Sequence, residues 1–189
     1  MVVTIVGIGE DGVNGLNSPC PFDHRSGGCF SRGRTPSLAM VNTANKIALT
    51  WAKPIEKTIE VIKTYTDRSV CVLASGDPLW YGIGKLLLKN IPNAIVIPHL
   101  SSFTLACSRL GWSMEDIDQL SLCGRPVSLL ISYLSPGRRL LVLGQDEHTP
   151  SAIATVLRQT GYDKSRLTVL SHLGGAQESD RDPFRLRGR

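Results

Sequence analysis

Along the first half of the chain, short runs of unbroken apolar residues alternate with segments whose apolar positions recur every three or four residues. That is the rhythm of a sheet layered with helices. Residues 2–6 (V-V-T-I-V) and 69–74 (S-V-C-V-L-A) show almost no polar alternation, which predicts strands covered on both faces of a parallel sheet. Residues 94–97 (A-I-V-I) form a third such run, ended by Pro98. Between them, residues 55–62 (I-E-K-T-I-E-V-I) set apolar side chains at 55, 59 and 62 with charges between, an amphipathic helix packed on a sheet. Helices are also predicted over 82–89 and over 103–110, the latter closed by Gly111.

The second half has a different rhythm. Gly124-Arg125-Pro126 breaks the pattern, so an N-terminal α/β lobe over 1–120 and a C-terminal α/β lobe over 121–189 are expected. A helix over 127–134 is followed by a strand over 139–143 that ends in Gly144-Gln145-Asp146. Thr149 as N-cap and Pro150 at N1 open a helix to about Gln159, and 167–170 reads as a last strand. Two stretches show no period: 20–36, rich in Gly, Ser, Arg and Pro, and 180–189, which reads as a frayed tail.

The candidate chemistry sits where strands end. After the strand over 69–74, Gly76 frees the backbone, Asp77 can accept bonds from ligand hydroxyls or cap a helix, and Pro78 stiffens the turn. After the first strand comes Gly7-Ile8-Gly9-Glu10-Asp11-Gly12, a match to the glycine spacing of dinucleotide-binding loops. Glu10 and Asp11 put two negative charges where a pyrophosphate would lie, so a neutral or cationic ligand fits better. Ser101-Ser102 follows the third strand. In a parallel sheet these three corners converge on one carboxyl edge, where open α/β sheets bind ligands.

Composition narrows the classes. The chain has 189 residues and a net charge of +5, of which 20–36 carries +2 and 177–189 carries +1. With no aromatic residues interleaved among basic ones, nucleic acid is not expected as a partner, while mild positive charge suits a polyanionic small substrate. No apolar run approaches the roughly 20 residues that cross a bilayer. Met1 leads straight into a predicted strand, so a cytoplasmic location is expected. Five scattered cysteines do not read as a disulfide framework, and Cys20, His24 and Cys29 would make only a loosely spaced zinc site.

Taken in order, V-G-I-G-E-D-G at 6–12, A-S-G-D-P-L at 74–79 with Y-G-I-G after it, S-S-F at 101–103 with R-L-G-W at 109–112, G-R-P at 124–126 and L-G-Q-D-E at 143–147 resemble the tetrapyrrole methylase family. The likeness is to its cobalamin-pathway branch that methylates C5 of the corrin precursor. The resemblance implies two α/β lobes with a cleft between them, the N-terminal sheet mostly parallel and the C-terminal sheet mixed. It implies S-adenosylmethionine as methyl donor, with Gly76, Asp77, Pro78, Ser101, Ser102 and Gly144 on the cofactor side and Gly7, Gly9, Glu10 and Asp11 on the substrate side. It also implies a tetrapyrrole substrate (precorrin-6Y or cobalt-precorrin-7), a homodimer, and a separate partner subunit for C15 methylation and decarboxylation. Arg109, Arg125, Arg138 and Arg139 are candidates to hold the macrocycle's carboxylates, Arg125 first among them, and His99 and Asp146 are candidate proton acceptors. Against the family pattern, 20–36 and the tail read as aberrant sequence. A non-catalytic, cofactor-binding subunit and a dinucleotide-dependent oxidoreductase remain alternatives.

Overall fold

The structure, a computed structural model, describes residues 2–12, 15, 38–42, 47–65 and 69–185, with backbone only for 38–42, 47–50 and 180–185. The aperiodic stretch at 20–36, with Cys20, His24 and Cys29, and the last residues of the tail, 186–189, lie outside these. The chain divides into two compact units, Met1–Ser101 and Ser102–Arg189. That division falls ahead of the Gly124-Arg125-Pro126 break.

The first unit contains β1 (Val2–Ile8), β2 (Leu38–Asn42), β3 (Ile47–Thr50), α1 (Glu56–Lys63), β4 (Ser69–Ser75), α2 (Gly84–Asn90) and β5 (Ile95–Ile97). They form one five-stranded sheet in the order β3-β2-β4-β1-β5. Its core is parallel: β1 lies on β4 from Val2 opposite Ser69 to Ile8 opposite Ser75, and on β5 through Thr4, Ile5 and Val6. Strand β1 runs two residues past the predicted end at 6, taking Gly7 and Ile8 into the sheet. The β2–β3 hairpin, whose strand β2 runs antiparallel to β4, is an addition that the apolar pattern of L-A-M-V-N did not mark as a strand.

Alternation along the parallel strands explains why both faces are apolar. Val3 and Ile5 share one face with Val70, Val72 and Ala74, packed with Ile59 and Ile62 of α1 and Leu87 of α2. Val6 and Ile8 join Cys71 and Leu73 on the other. Each fully buried side chain of this size contributes about 1.5–3 kcal/mol.

The second unit contains α3 (Ser102–Leu110), β6 (Asp118–Ser121), β7 (Leu140–Leu143), α4 (Thr149–Gln159), β8 (Arg166–Ser171) and β9 (Ser179–Arg185). Strands β6 and β7 pair in parallel, and β8 and β9 antiparallel, so this unit is mixed. Leu120 and Leu122 meet Leu130 and the 153, 156 and 157 stripe of α4, the i, i+3, i+4 spacing of a packed helix face. Three expectations need correction. The helix read over 127–134 is of the 3-10 kind and ends one residue sooner, as Val127–Tyr133. Helix α4 begins at Thr149 with His148 in the N-cap position, one residue earlier than predicted. Most of the supposedly frayed tail is β9, held by backbone bonds to β8 that its polar sequence does not advertise. Among the described residues no helix is long and apolar enough to cross a membrane.

Candidate functional site

The carboxyl edge of the first sheet brings several predicted residues together. Gly7 lies opposite Ala74, Ile8 opposite Ser75 and Val6 opposite Ile97, so the segments leaving β1, β4 and β5 start side by side. The Gly76 N–H donates to the Ile8 carbonyl at 2.8 Å, tying the β4 turn to the end of β1. Gly76 has φ of 61°, left-handed, which accounts for glycine there. One carboxylate oxygen of Asp77, Oδ1, accepts the Leu79 N–H at 2.8 Å, and the Asp77 carbonyl accepts the Trp80 N–H at 3.1 Å. The buried Pro78 gives its carbonyl to the Gly84 N–H at 2.8 Å. A Cβ on Gly82 or Gly84 would lie 2.6 Å from that same carbonyl oxygen, so the turn closes only around glycine. At its apex Tyr81 takes φ of 54°, a left-handed conformation that costs a bulky L-residue about 1–2 kcal/mol.

His99, weighed from sequence only as a proton acceptor, is a structural wedge at this edge. Its Nε2 lies 3.2 Å from the Gly15 carbonyl and its Nδ1 3.3 Å from the Leu100 carbonyl. The space a Cβ on Gly7 would need is filled by the Gly76 carbonyl oxygen and by the His99 backbone N and Cβ, each of the latter at 2.7 Å. A Cβ on Gly9 would stand 2.8 Å from His99 Cε1 and 2.6 Å from Asp11 Oδ1. Gly7 is therefore required by packing against backbone atoms, whereas Gly9 faces only side-chain ends that can shift. Glu10 and Asp11 are exposed on the turn that the Gly12 N–H closes onto the Gly9 carbonyl. Ser101 is buried, and Ser102, exposed, opens α3 in the second unit.

Gly144, Arg125 and Asp146 belong to the second unit, at the carboxyl ends of β6 and β7. The two loops are stitched together: the Cys123 thiol donates to the Gly144 carbonyl at 3.4 Å and the Gly124 N–H to Gln145 Oε1 at 2.9 Å. Asp146 Oδ1 accepts the His148 N–H, the Thr149 N–H and the Thr149 hydroxyl, each at 3.0 Å. It thus caps α4, a task that the His148 side chain does not perform. The Thr149 hydroxyl, ahead of the two backbone bonds, holds the Asp146 carboxyl below its usual range. A carboxylate so engaged is a weak base, and the geometry ties Asp146 to the shape of the turn that carries Gly144.

The four candidate arginines separate by their partners. Arg109 clasps Glu178 through two nitrogens, the Nη2–Oε2 contact being 3.0 Å, and the Gly174 N–H reaches the same carboxylate at 2.7 Å. That arginine, followed by the backbone bond, pulls the Glu178 carboxyl down to about 2. Arg138 grips Asp118 at 2.9 and 2.8 Å. The Arg139 guanidinium sits 5.3 Å from the Trp112 ring centroid, a cation–π distance. Arg125 is exposed, and the bond from its Nη1 to the Ser121 carbonyl is long, 3.5 Å. Sequence put Arg125 first for its place in Gly-Arg-Pro but could not see what the others hold, because partners 69 and 20 residues away have no local signature.

Comparison with known proteins is consistent along most of the chain. Residues 31–180 match the sequence model of the tetrapyrrole (corrin/porphyrin) methylases. The decarboxylating precorrin-6Y C(5,15)-methyltransferase of a Sinorhizobium species is 38% identical over 178 residues, 93% of this chain and 43% of that protein. The cobalt-precorrin-7 C(5)-methyltransferase of Salmonella typhimurium strain LT2 is 28% identical over 182 residues, 95% of this chain and 88% of that protein. A solved structure, the cobalamin biosynthesis precorrin-6Y methylase of Archaeoglobus fulgidus, aligns with a TM-score of 0.47 and 25% identity over 67% of this chain and 59% of that one. The chain spans under half the length of the precorrin-6Y relatives. Because the family match takes in strands and turns of both units, this chain belongs to the tetrapyrrole (corrin/porphyrin) methylases.

Proposed function

We propose that this chain transfers a methyl group from S-adenosylmethionine to C5 of a corrin-ring precursor, precorrin-6Y or cobalt-precorrin-7, in cobalamin biosynthesis. The strongest support is the pattern of coverage. The chain aligns with 88% of a protein named for C5 methylation alone, but with only 43% of one named for both C5 and C15 methylation with decarboxylation. The shared part is then the C5 enzyme. Action with a partner subunit for C15 methylation and decarboxylation is a further part of the proposal, carried by the family resemblance and not by the coverage. A homodimer in the cytoplasm completes the proposal. Among the described residues, Cys107 and Cys123 as free thiols are in keeping with a reducing compartment.

The residues present suit the methyl donor. Glu10 and Asp11 follow β1 and Asp77 follows β4, so carboxylates flank the edge where a sulfonium would be favoured and a pyrophosphate repelled. Asp77 has one oxygen fixed by the Leu79 N–H, which aims the carboxylate and leaves Oδ2 to accept from ribose hydroxyls. Gly76, Pro78, Ser101, Ser102 and Gly144 complete the cofactor side, and Gly7, Gly9, Glu10 and Asp11 the substrate side. When bound, S-adenosylmethionine supplies an electrophilic methyl carbon. The attacking carbon belongs to the macrocycle, made electron-rich by its pyrrolic nitrogens, so the chain provides no nucleophile. Its part is alignment: Arg125 holds a ring carboxylate, and the strand ends fix the donor so that the reacting atoms meet at about 3–3.5 Å.

Calorimetric titration with S-adenosylhomocysteine, paired with transfer of a radiolabelled methyl group to the precorrin, tests the proposal. The wild type should give saturable heat and labelled corrin, with affinity lowered about tenfold or more in Asp77→Ala, the scale of a lost charge-assisted hydrogen bond. Saturable heat without label transfer would refute catalysis and leave a cofactor-binding subunit.

A further inference from the structure

We infer that the apex Leu79-Trp80-Tyr81 is a stacking surface for the face of the tetrapyrrole ring, an assignment that rests on the methyl-transfer function proposed above. Three consecutive large apolar residues stand exposed there, by 52%, 44% and 43%, immediately after Asp77 at the carboxyl end of β4. Their exposure is built in. The bonds from Asp77 and Pro78 close the turn beneath them, Gly82 and Gly84 admit the Pro78 carbonyl where no side chain would fit, and Tyr81 is held in a left-handed backbone conformation. A chain selected only for stability would place a glycine or asparagine at φ of 54° and a polar residue on an exposed tip. Here both positions carry aromatic rings instead.

The two rings are packed edge to face, with centroids 5.6 Å apart and planes at 78°. Nearly perpendicular rings make a corner, with one surface to lie against a flat body and another to stop its rim. Aromatic side chains already fixed in place lose little freedom when a ligand arrives, so they bind a conjugated disc efficiently. A corrin precursor is such a disc, with apolar faces and a rim of carboxylates. The apex lies two to four residues beyond Asp77, the group proposed for the donor's ribose, so ring and donor would meet at the same sheet edge. The principal competing occupant is a second copy of this chain.

The test measures three quantities on wild type, Trp80→Ala, Trp80→Phe and Tyr81→Gly. These are affinity for the stable heptacarboxylate corrin cobyrinic acid, affinity for S-adenosylhomocysteine, and molecular mass by sedimentation. Trp80→Ala and Tyr81→Gly should weaken the corrin about tenfold or more, the scale of a lost stacking contact, and leave S-adenosylhomocysteine within twofold. Trp80→Phe should restore most of the loss. Tyr81→Gly should melt no lower than wild type, since glycine suits the backbone there, which separates lost binding from lost folding. Unchanged corrin affinity in both variants, or dissociation of a dimer with corrin affinity intact, overturns the inference while the proposed function stands. A wild type that binds neither probe overturns both.

Discussion

Gly7→Ala is the sharpest probe of how the first sheet builds its edge. The new methyl would collide with the Gly76 carbonyl oxygen and stand 2.7 Å from the backbone N and Cβ of His99. All three are backbone or backbone-adjacent atoms, so no flexible side chain can swing away, and β4 or the segment after β5 must shift. Overpacking of this kind costs about 3 kcal/mol, the upper part of the usual range, offset by about 0.5–1 kcal/mol because alanine restricts the unfolded chain. The net loss is about 2 kcal/mol. Gly12→Ala is the matched control: its φ is +66° and nothing among the described residues lies within 4 Å, so the left-handed conformation is what is penalised, about 1–2 kcal/mol before the same offset. In urea denaturation with a slope of about 2 kcal/mol/M, Gly7→Ala should lower the midpoint by about 1 M and Gly12→Ala by about half that or less. Equal midpoints for Gly7→Ala and wild type, or a larger loss at Gly12, would show that the strand ends are not packed as described.

Other outcomes follow from the second unit. Glu178 has its carboxyl depressed from 4.5 to about 2 in the folded chain, so its contribution is complete above the unfolded value and disappears as pH falls through the folded one. The difference in melting temperature between wild type and Glu178→Gln should therefore be constant above pH about 5 and close between about 4.5 and 2. Asp146→Asn keeps an oxygen for the cap and should retain methyl transfer with an unshifted pH profile; a loss of about a hundredfold or more with a moved profile would make Asp146 a proton acceptor after all. Arg125→Ala should raise KM for the tetrapyrrole about tenfold or more, as expected for a lost carboxylate contact. Arg138→Ala, which breaks the grip on Asp118, should leave KM within twofold; the reverse ranking of the two would sink the assignment of Arg125.

Much of the scaffold was legible in advance because burial leaves a local trace. Strands β1 and β4 read as unbroken apolar runs since both faces of the sheet are covered, α1 showed its packed stripe at helical spacing, and α4 was marked by the Thr149-Pro150 start. The β2–β3 hairpin was not read although L-A-M-V-N and I-A-L-T are apolar, since runs this short carry no turn or period that marks a strand, and S-D-R-D-P-F-R of β9 holds no apolar run at all. The glycine, aspartate and serine corners were visible as motifs, and the parallel register of β1, β4 and β5 sets their starting points side by side as the pattern implied.

What the amino-acid order determined unaided was the class of fold and a list of candidate residues for a site, since periodicity and turn chemistry are properties of neighbours in the chain. Tertiary structure decided which of those residues are already occupied. Folding gave Arg109 to Glu178, Arg138 to Asp118 and Arg139 to Trp112, turned Asp146 into a helix cap, and made His99 the wedge behind Gly7 and Gly9. The physical reason is distance along the chain: a charge or a ring is committed by whatever the fold brings within a few ångströms of it, and no local pattern encodes a partner dozens of residues away.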